Sequence, residues 1–299
     1  MPNSETITQT ACIICQSKMN KMFGYNSFYY FRCPVCKHVT TLPYPTAPQI
    51  QEHYSRAFEE GNYNTARQHA DVYMSAMNKF VKLIKKYLER QNLSLDNLAV
   101  LDVGCFTGDF LQCMHQQGAD VYGIEYQQQA ADIANKKLPG KIVNADILSD
   151  SFSLPQSKFD IITLLGIVEH VIDPVHLIQR VLPWLKKNGL LIIQTPNSSS
   201  VLARLMGKYW PPYTPVEHIH LFSIKSLKEM LKKSGFENVH SKNHWKTLSI
   251  SYVFSMLKTF SPKFHRTSKS FFNILPKFVT EIRMPFYIGE VILFVSIQK

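Results

Sequence analysis

The stretch Val100-Leu101-Asp102-Val103-Gly104-Cys105-Phe106-Thr107-Gly108-Asp109 decides the fold. An apolar run closes on an acidic residue and a turn holding two glycines, and a helical pattern starts at Asp109. The reading is buried strand, tight turn, helix. Glycine lets the backbone take positive φ and approach a ligand closely. Such a turn alone is a weak signal, because many nucleotide-binding sheets share it. No Gly-Lys-Ser/Thr follows, which excludes a phosphate-binding P-loop. The dinucleotide fingerprint fits poorly too, since it needs three glycines and no acid before them.

Outward from this stretch, apolar runs alternate with helical spacing. Strands are expected at 98–103, 120–125, 141–146, 159–165 and 190–196, with helices at 109–117, through QQQAADIANKK and at 176–187, the last interrupted by Pro183. The run FDIITLL (159–165) is unbroken, as in a strand buried on both faces. Asn188-Gly189 is read as a turn. The β-α-β-α rhythm predicts an α/β fold, a mostly parallel sheet with helices on both faces. Right-handed crossovers then bring every parallel strand's C-terminal end to one edge, where ligands bind. Further on, Ser223 and Gly235 bound a helix, and 236–245 and 289–299 read as strands. Ahead of the sheet, 71–92 carries Met77, Val81, Ile84 and Leu88 at helical spacing, and 43–70 reads as a linker with short helical turns.

The chemistry is carried by the strand ends. Glu125 closes the second strand, where a carboxylate can accept from both hydroxyls of a ribose. Asp146 closes the third, placed to accept from an exocyclic amine. Phe159-Asp160 opens the fourth, which leads to Val168-Glu169-His170 and Asp173-Pro174. Three acids on one edge suit a nucleoside that bears a positive charge.

This combination resembles the class I S-adenosylmethionine-dependent methyltransferases, closest to the subgroup with FDxIxxxxVxEHxxDP and a later HxHLFSxxSL. The likeness covers about 98–235 and the last strand, and it implies a Rossmann-like seven-stranded sheet. It implies that Asp102, Gly104, Cys105 and Gly108 face the methionine portion and ribose, that Glu125 with Tyr126 holds the ribose, and that Asp146 with Ile147 holds the adenine. Leu165, Gly166 and His170 would close the cofactor pocket. Phe106 departs from the pattern, which has a glycine at that place in the turn. A cap on the next helix and a wall contact are the roles expected of Glu169 and His170. Cys105 is read as a pocket wall and Cys113 as core.

Methyl transfer from a sulfonium is an in-line displacement, in which alignment is worth up to ~7–11 kcal/mol. An oxygen or acidic-carbon acceptor also needs a base, worth ~10²–10⁴-fold. Histidine suits that task near neutral pH. In alternation His218 and His220 share one face, so His220 or His218 is expected as base, with Tyr213 and Trp210 lining the acceptor pocket. That one of the histidines merely anchors the loop to the sheet edge stays open at this level.

At the other end stand Cys12-x2-Cys15 and Cys33-x2-Cys36, with 17 residues between the pairs. In a chain without a secretory signal, paired C-x2-C points to a metal rather than to disulfides. Two such turns supply the closed tetrahedral shell of structural Zn²⁺. Residues 1–42 are therefore expected to form a zinc ribbon, 43–97 a linker with N-terminal helices, and 98–299 the catalytic domain with a basic insertion at 246–285. Such a ribbon before such a domain resembles an arrangement in bacterial sugar and secondary-metabolite methyltransferases.

Composition agrees with a globular chain. Of 299 residues 45% are apolar and 18% charged, which excludes a mainly disordered polymer. No apolar run reaches the ~20 residues of a membrane-spanning helix, and a cytosolic protein is expected. The net charge is +11, and residues 225–299 hold 13 Lys+Arg against 4 Glu. That asymmetry suggests an anionic partner. A small-molecule acceptor, anionic or lipid-linked, leads; RNA methylation and a non-catalytic binding role are the alternatives. Against RNA, the fourth strand ends in Leu165-Gly166-Ile167, not in Asn/Asp-Pro-Pro-aromatic. The insertion interleaves Phe, Leu and Ile with Lys and Arg, which suits peripheral contact with the inner membrane face, although a lid or dimer contact is the duller and preferred account.

Overall fold

The computed structural model describes residues 10–60, 70–236, 238–251, 254 and 262–296. The N-terminal part forms an antiparallel meander, β1 (Asn20–Tyr25), β2 (Phe28–Arg32) and β3 (Val39–Leu42). Among the described residues, the stretch read as linker forms the helix α1 (Ala47–Glu60), and α2 (Ala70–Glu89) comes after it. Phe80, Val81, Ile84 and Leu88 form the buried stripe of α2, at the spacing an amphipathic helix requires.

The sheet follows. Its parallel strands are β4 (Ala99–Val103), β5 (Asp120–Glu125), β6 (Ile142–Asn144), β7 (Phe159–Leu165) and β8 (Leu185–Pro196). Helices α3 (Asp109–His115), α4 (Gln128–Lys137) and α5 (Pro174–Val181) connect them. After α6 (Val201–Met206) comes the two-residue β9 (His220–Leu221), then α7 (Ile224–Lys233), β10 (Asn238–Ser249), α8 (Pro262–Ile274), α9 (Lys277–Thr280) and β11 (Arg283–Ser296). The seven-stranded order is β10-β11-β8-β7-β4-β5-β6, with β11 antiparallel to both neighbours. The order reverses between β7 and β4, and the crevice at that switch point is where such sheets bind ligands.

Alternation along the strands builds two cores. On β8, Leu191 and Ile193 join Leu101, Val103, Ile162 and Leu164 on one face. Leu190 and Ile192 join Val100, Val121 and Ile161 on the other, beneath α2, α3 and α4. Each fully buried Leu or Ile contributes ~1.5–3 kcal/mol against exposure.

Three expectations change. Leu185–Lys187 continue no helix. Pro183 ends α5 in a 3₁₀ turn, Leu182–Trp184, and Leu185 already pairs with Phe159. Asn188-Gly189 is a break in the register of β8 rather than a turn before it, with Asn188 at φ 63°. The last two strands also run deep into the stretch read as an insertion, pairing as far as Ser249 with Arg283. Residues 252–253 and 255–261 of that stretch lie outside the described residues. Among the described residues no helix is long and apolar enough to cross a membrane.

The ribbon is welded to the sheet domain. β9 is the fourth strand of its sheet, pairing Val39 with Leu221 and Thr40 with His220. Ile14, Met19 and Phe31 share one buried cluster with Leu227, Met230 and Leu231 of α7. The Ser223 hydroxyl, which caps α7, also donates to the Cys36 carbonyl at 2.7 Å.

Candidate functional site

The two C-x2-C turns have the same build. In each, the backbone N–H after the second cysteine donates to the first cysteine's carbonyl, Gln16 to Cys12 and Lys37 to Cys33. Gln16 and Lys37 both take left-handed φ, 64° and 66°. This wraps each pair of thiols around one point. Cys12 and Cys36 Sγ lie 3.5 Å apart, and Cys15 and Cys33 Sγ 3.4 Å. All four sulfurs fall within 4.8 Å of one another. A tetrahedron of four sulfurs with ~2.3 Å bonds to zinc has edges of about 3.8 Å, so the cluster can hold a structural Zn²⁺, with no position left open.

A cavity of about 620 Å³ lies at the switch point, over the C-terminal ends of β4, β7 and β8. The turn after β4 brings Asp102, Gly104, Cys105 and Phe106 to its wall; β7 brings Leu165, Gly166, Glu169 and His170. Gly104 sits at φ +72°, and a Cβ there would fall 2.1 Å from Ile167 Cδ1, so no side chain is accommodated. Phe106 holds the left-handed conformation that a glycine would take, φ 49°. That costs ~1–2 kcal/mol, and the Phe106 N–H to Glu125 Oε2 bond of 2.8 Å helps to offset it.

Asp102 is 3% exposed, and its Oδ1 accepts from the Thr163 hydroxyl at 2.5 Å. Burial pushes its carboxyl up to about 7, although the Thr163 bond pulls the other way. A carboxyl that holds its proton better folded than unfolded stabilises the fold at low pH, and that contribution is lost as pH rises from 3.8 through about 7. Asp102→Asn is therefore expected to flatten the fall in melting temperature of the ligand-free protein over that window. Melts at several pH values check this; an unchanged slope would rule it out.

The sequence-predicted cofactor residues divide. Asp102, Gly104, Cys105, Leu165, Gly166 and His170 line one cavity. Burial raises the Cys105 thiol, in keeping with a wall residue rather than a nucleophile. Glu125 stands behind the turn, its Oε1 accepting from the Gln127 N–H at 2.8 Å. Tyr126 is exposed, and Asp146 Oδ1 accepts from the Leu148 N–H at 2.9 Å within its own turn. Ile147, half-buried against the core, gives its carbonyl to Arg180 Nε. These four lie outside the cavity wall, at the β5 and β6 ends of the same edge. Gly108 faces elsewhere: its absent Cβ leaves room for Ala134 Cβ, 3.1 Å away, so it packs α3 against α4.

The acceptor side needs more correction. His220 does not reach the cavity. It is fully buried, with Nδ1 3.2 Å from His38 Nε2 and Nε2 3.0 Å from the Ile172 carbonyl. Both ring nitrogens are engaged and burial lowers its pKa to about 4, so it anchors the loop to the ribbon. Trp210 and Tyr213 belong to a separate core with Tyr30, Val39 and Leu221, and neither lines this cavity. Glu169 caps nothing, because the cap of α5 is Asp173, whose Oδ1 accepts from the His176 N–H.

His218 does line the cavity, beside His170, with ring centroids 4.9 Å apart. Glu169 is 2% exposed, and burial pushes its carboxyl up to about 8. Burial drives His170 down to about 3 and lowers His218 as well, so both rings are neutral at pH 7. Gln194, Thr195 and Glu290 complete this wall, with Gln194 Nε2 donating to Glu290 Oε2 at 2.7 Å. Sequence reasoning passed over these three; the acid opening the apolar run of β11, Glu290-Val291-Ile292, was the only signal available.

The chain matches the family described as "Methyltransferase domain" over residues 71–241. Among curated proteins, the ubiquinone biosynthesis O-methyltransferase of Histophilus somni is 34% identical over 120 residues, 38% of this chain and 50% of that one. The protein of the same name from Pelagibacter ubique is 29% identical over 188 residues, 55% of this chain and 76% of that one. The chain spans about half the length of the first curated relatives it matches. Among solved structures, magnesium protoporphyrin IX methyltransferase from Synechocystis with bound SAH is 16% identical, with a TM-score of 0.49, covering 83% of this chain and 94% of that one.

Proposed function

Because this chain belongs to the methyltransferase domain family, we propose that it transfers the methyl group of S-adenosylmethionine to a hydroxyl oxygen of a small molecule. The observation that carries this reading is the cavity itself. It joins the acid and glycine turn of β4 to the Glu169, His170 and His218 wall, so one space holds a cation-binding end and a hydroxyl-activating end. S-adenosylmethionine supplies an activated methyl group on a sulfonium. Asp102 sets a carboxyl beside that sulfonium and its ammonium, whose positive charge favours the ionised form; Gly104 leaves the backbone bare for close approach. Glu125, from behind Phe106, holds the ribose hydroxyls, and Asp146 with Ile147 borders the adenine. Glu169, His170 and His218 activate the acceptor. Alignment of donor and acceptor within this cavity supplies most of the acceleration, up to ~7–11 kcal/mol.

Polar and aromatic residues of β10 support a reading of the acceptor class. Trp245, His244 and Lys242 of β10 line the cavity, which suits an aromatic or sugar ring with an anionic substituent. Exposed Ile274 and Phe278 stand in a stretch that also exposes Lys269 and Lys277, which supports an acceptor carried at an anionic membrane face. Vesicle flotation with and without 262–282 tests the last point, and unchanged partitioning ends it.

The main test is direct. Calorimetric titration should show one S-adenosylmethionine per chain, and labelled methyl groups should enter the small-molecule fraction of cell extract. No binding of the cofactor would overturn the reading; label in RNA alone would redirect it to nucleic acid.

A further inference from the structure

We propose that Arg180, in the last turn of α5 and not among the residues that line the cavity, is a positioning residue for the adenine end of the cofactor. Its guanidinium holds the loop 146–152 in the shape that recognises the base. This role rests on the methyl-transfer reading, which sets the adenine beside Asp146 and Ile147.

The sheet lets go of the chain just before this loop. β6 is three residues long, and its pairing with β5 stops at Glu125 and Asn144. The Asn144 amide donates to the Glu125 and Tyr126 carbonyls at 2.8 and 2.9 Å, and the Ala145 N–H donates to the Glu125 carbonyl at 3.1 Å. Past Ala145, bonds close within the loop itself. The Leu148 N–H donates to Asp146 Oδ1 at 2.9 Å, and the N–H groups of Ser149 and Phe152 donate to the Asp146 and Ser149 carbonyls at 3.1 Å.

Among the described residues, Arg180 alone ties 146–152 to another element by hydrogen bonds. Nε donates to the Ile147 carbonyl at 3.3 Å, and Nη2 donates to the carbonyls of Ser149, at 2.8 Å, and Phe152. The Ile147 and Phe152 carbonyls have no other donor among the described residues, and a partly buried carbonyl needs one. No described carboxylate pairs with Arg180, so its charge is spent on these carbonyls. A planar guanidinium sets several carbonyls at fixed positions, which a single ammonium does not. Packing adds to this: Phe152 stands edge-on to Trp184, with ring centroids 6.0 Å apart. The Leu148 N–H holds the Asp146 carboxylate by Oδ1 and leaves Oδ2 to accept from an exocyclic amine. If a binding-competent loop is populated only in part, the apparent Kd rises by the inverse of that fraction.

The test uses the full chain with its zinc, as wild type, Arg180→Ala and Arg180→Lys. Calorimetry well below each melting temperature measures S-adenosylmethionine, adenosine, inosine and methionine. Arg180→Ala should weaken S-adenosylmethionine and adenosine by about tenfold, as for a loop correctly placed one time in ten, and leave methionine unchanged. It should also bring adenosine and inosine to within about twofold of each other, because inosine lacks the amine that Asp146 reads. Arg180→Lys keeps a charged donor and should recover part of the loss; it carries the same comparison should the alanine variant not fold. Amides of 147–152 should exchange faster in the alanine variant, with β4 protected as in the wild type. An arginine with a structural role alone would lower melting and leave the preference for adenosine over inosine at its wild-type value. That result in both variants, with the wild type binding the cofactor, overturns this inference and spares the methyl-transfer reading. A wild type that binds neither S-adenosylmethionine nor adenosine overturns both.

Discussion

Cys33→Ser should strip the ribbon of zinc and take the cofactor cavity with it. The expected result is zinc falling from one per chain to near zero, melting lowered by ~10–20 °C and S-adenosylmethionine binding lost. Structural zinc contributes on the order of 10 kcal/mol to small domains that have little core of their own. Losing about 5 kcal/mol of it corresponds to that shift at ~2–4 °C per kcal/mol. The damage spreads because the ribbon holds the acceptor wall in place. β3 pairs with β9, the His220 ring bridges His38 and the Ile172 carbonyl, and the His220 N–H donates to the Glu169 carbonyl at 3.1 Å. Cys113→Ser is the control, a buried thiol on α3 remote from the cluster, and it should leave zinc content unchanged. Zinc content, melting and cofactor titration on the two variants check this. A Cys33→Ser protein that binds the cofactor normally would make the ribbon an independent appendage.

What could be read from sequence was what local physics decides. β5 and β7 fall at 120–125 and 159–165, where the apolar runs lie, because the polar residues inside β7 are few and satisfied, Thr163 by Asp102 and Asp160 by the Ala99 N–H. The four-cysteine cluster was legible because two short turns determine its geometry. The failures are non-local. His38 and Thr40 hold His220 from far up the chain, and Tyr30 and Phe23 do the same for Tyr213. Alternation placed His218 and His220 on one face, yet β9 begins only at His220, and His218 lies in the turn before it, its N–H bonded to the Thr214 carbonyl. The two rings therefore point to different places, one toward the cavity and one into the ribbon. Leu185–Lys187 misled because Trp-Leu-Lys-Lys fits helical spacing equally well, and only pairing with Phe159 decides between the two.

Glu125→Ala carries the other large effect. Its carboxylate accepts from the N–H groups of Phe106 and Gln127, both at 2.8 Å, which leaves one lone pair on each oxygen for a ribose. Hydrogen bonds to a charged group are worth about 1.5–3 kcal/mol each, so losing two toward the cofactor should raise its Kd by about 100-fold or more. The Phe106 N–H also loses its partner, and the left-handed turn with it, so thermal stability should drop too. Two controls separate the contributions. S-adenosylhomocysteine and adenosine should lose affinity together, whereas methionine should not, because Glu125 stands at the ribose end. The charge of Glu125 also helps to keep the Asp102 carboxyl raised, after burial itself. Its removal should move the pH window of Asp102 downward, visible as a shift in the pH dependence of melting. If calorimetry returns a Kd for S-adenosylmethionine within twofold of wild type, the ribose does not lie at the end of β5, and the orientation of the cofactor along this edge must be reversed.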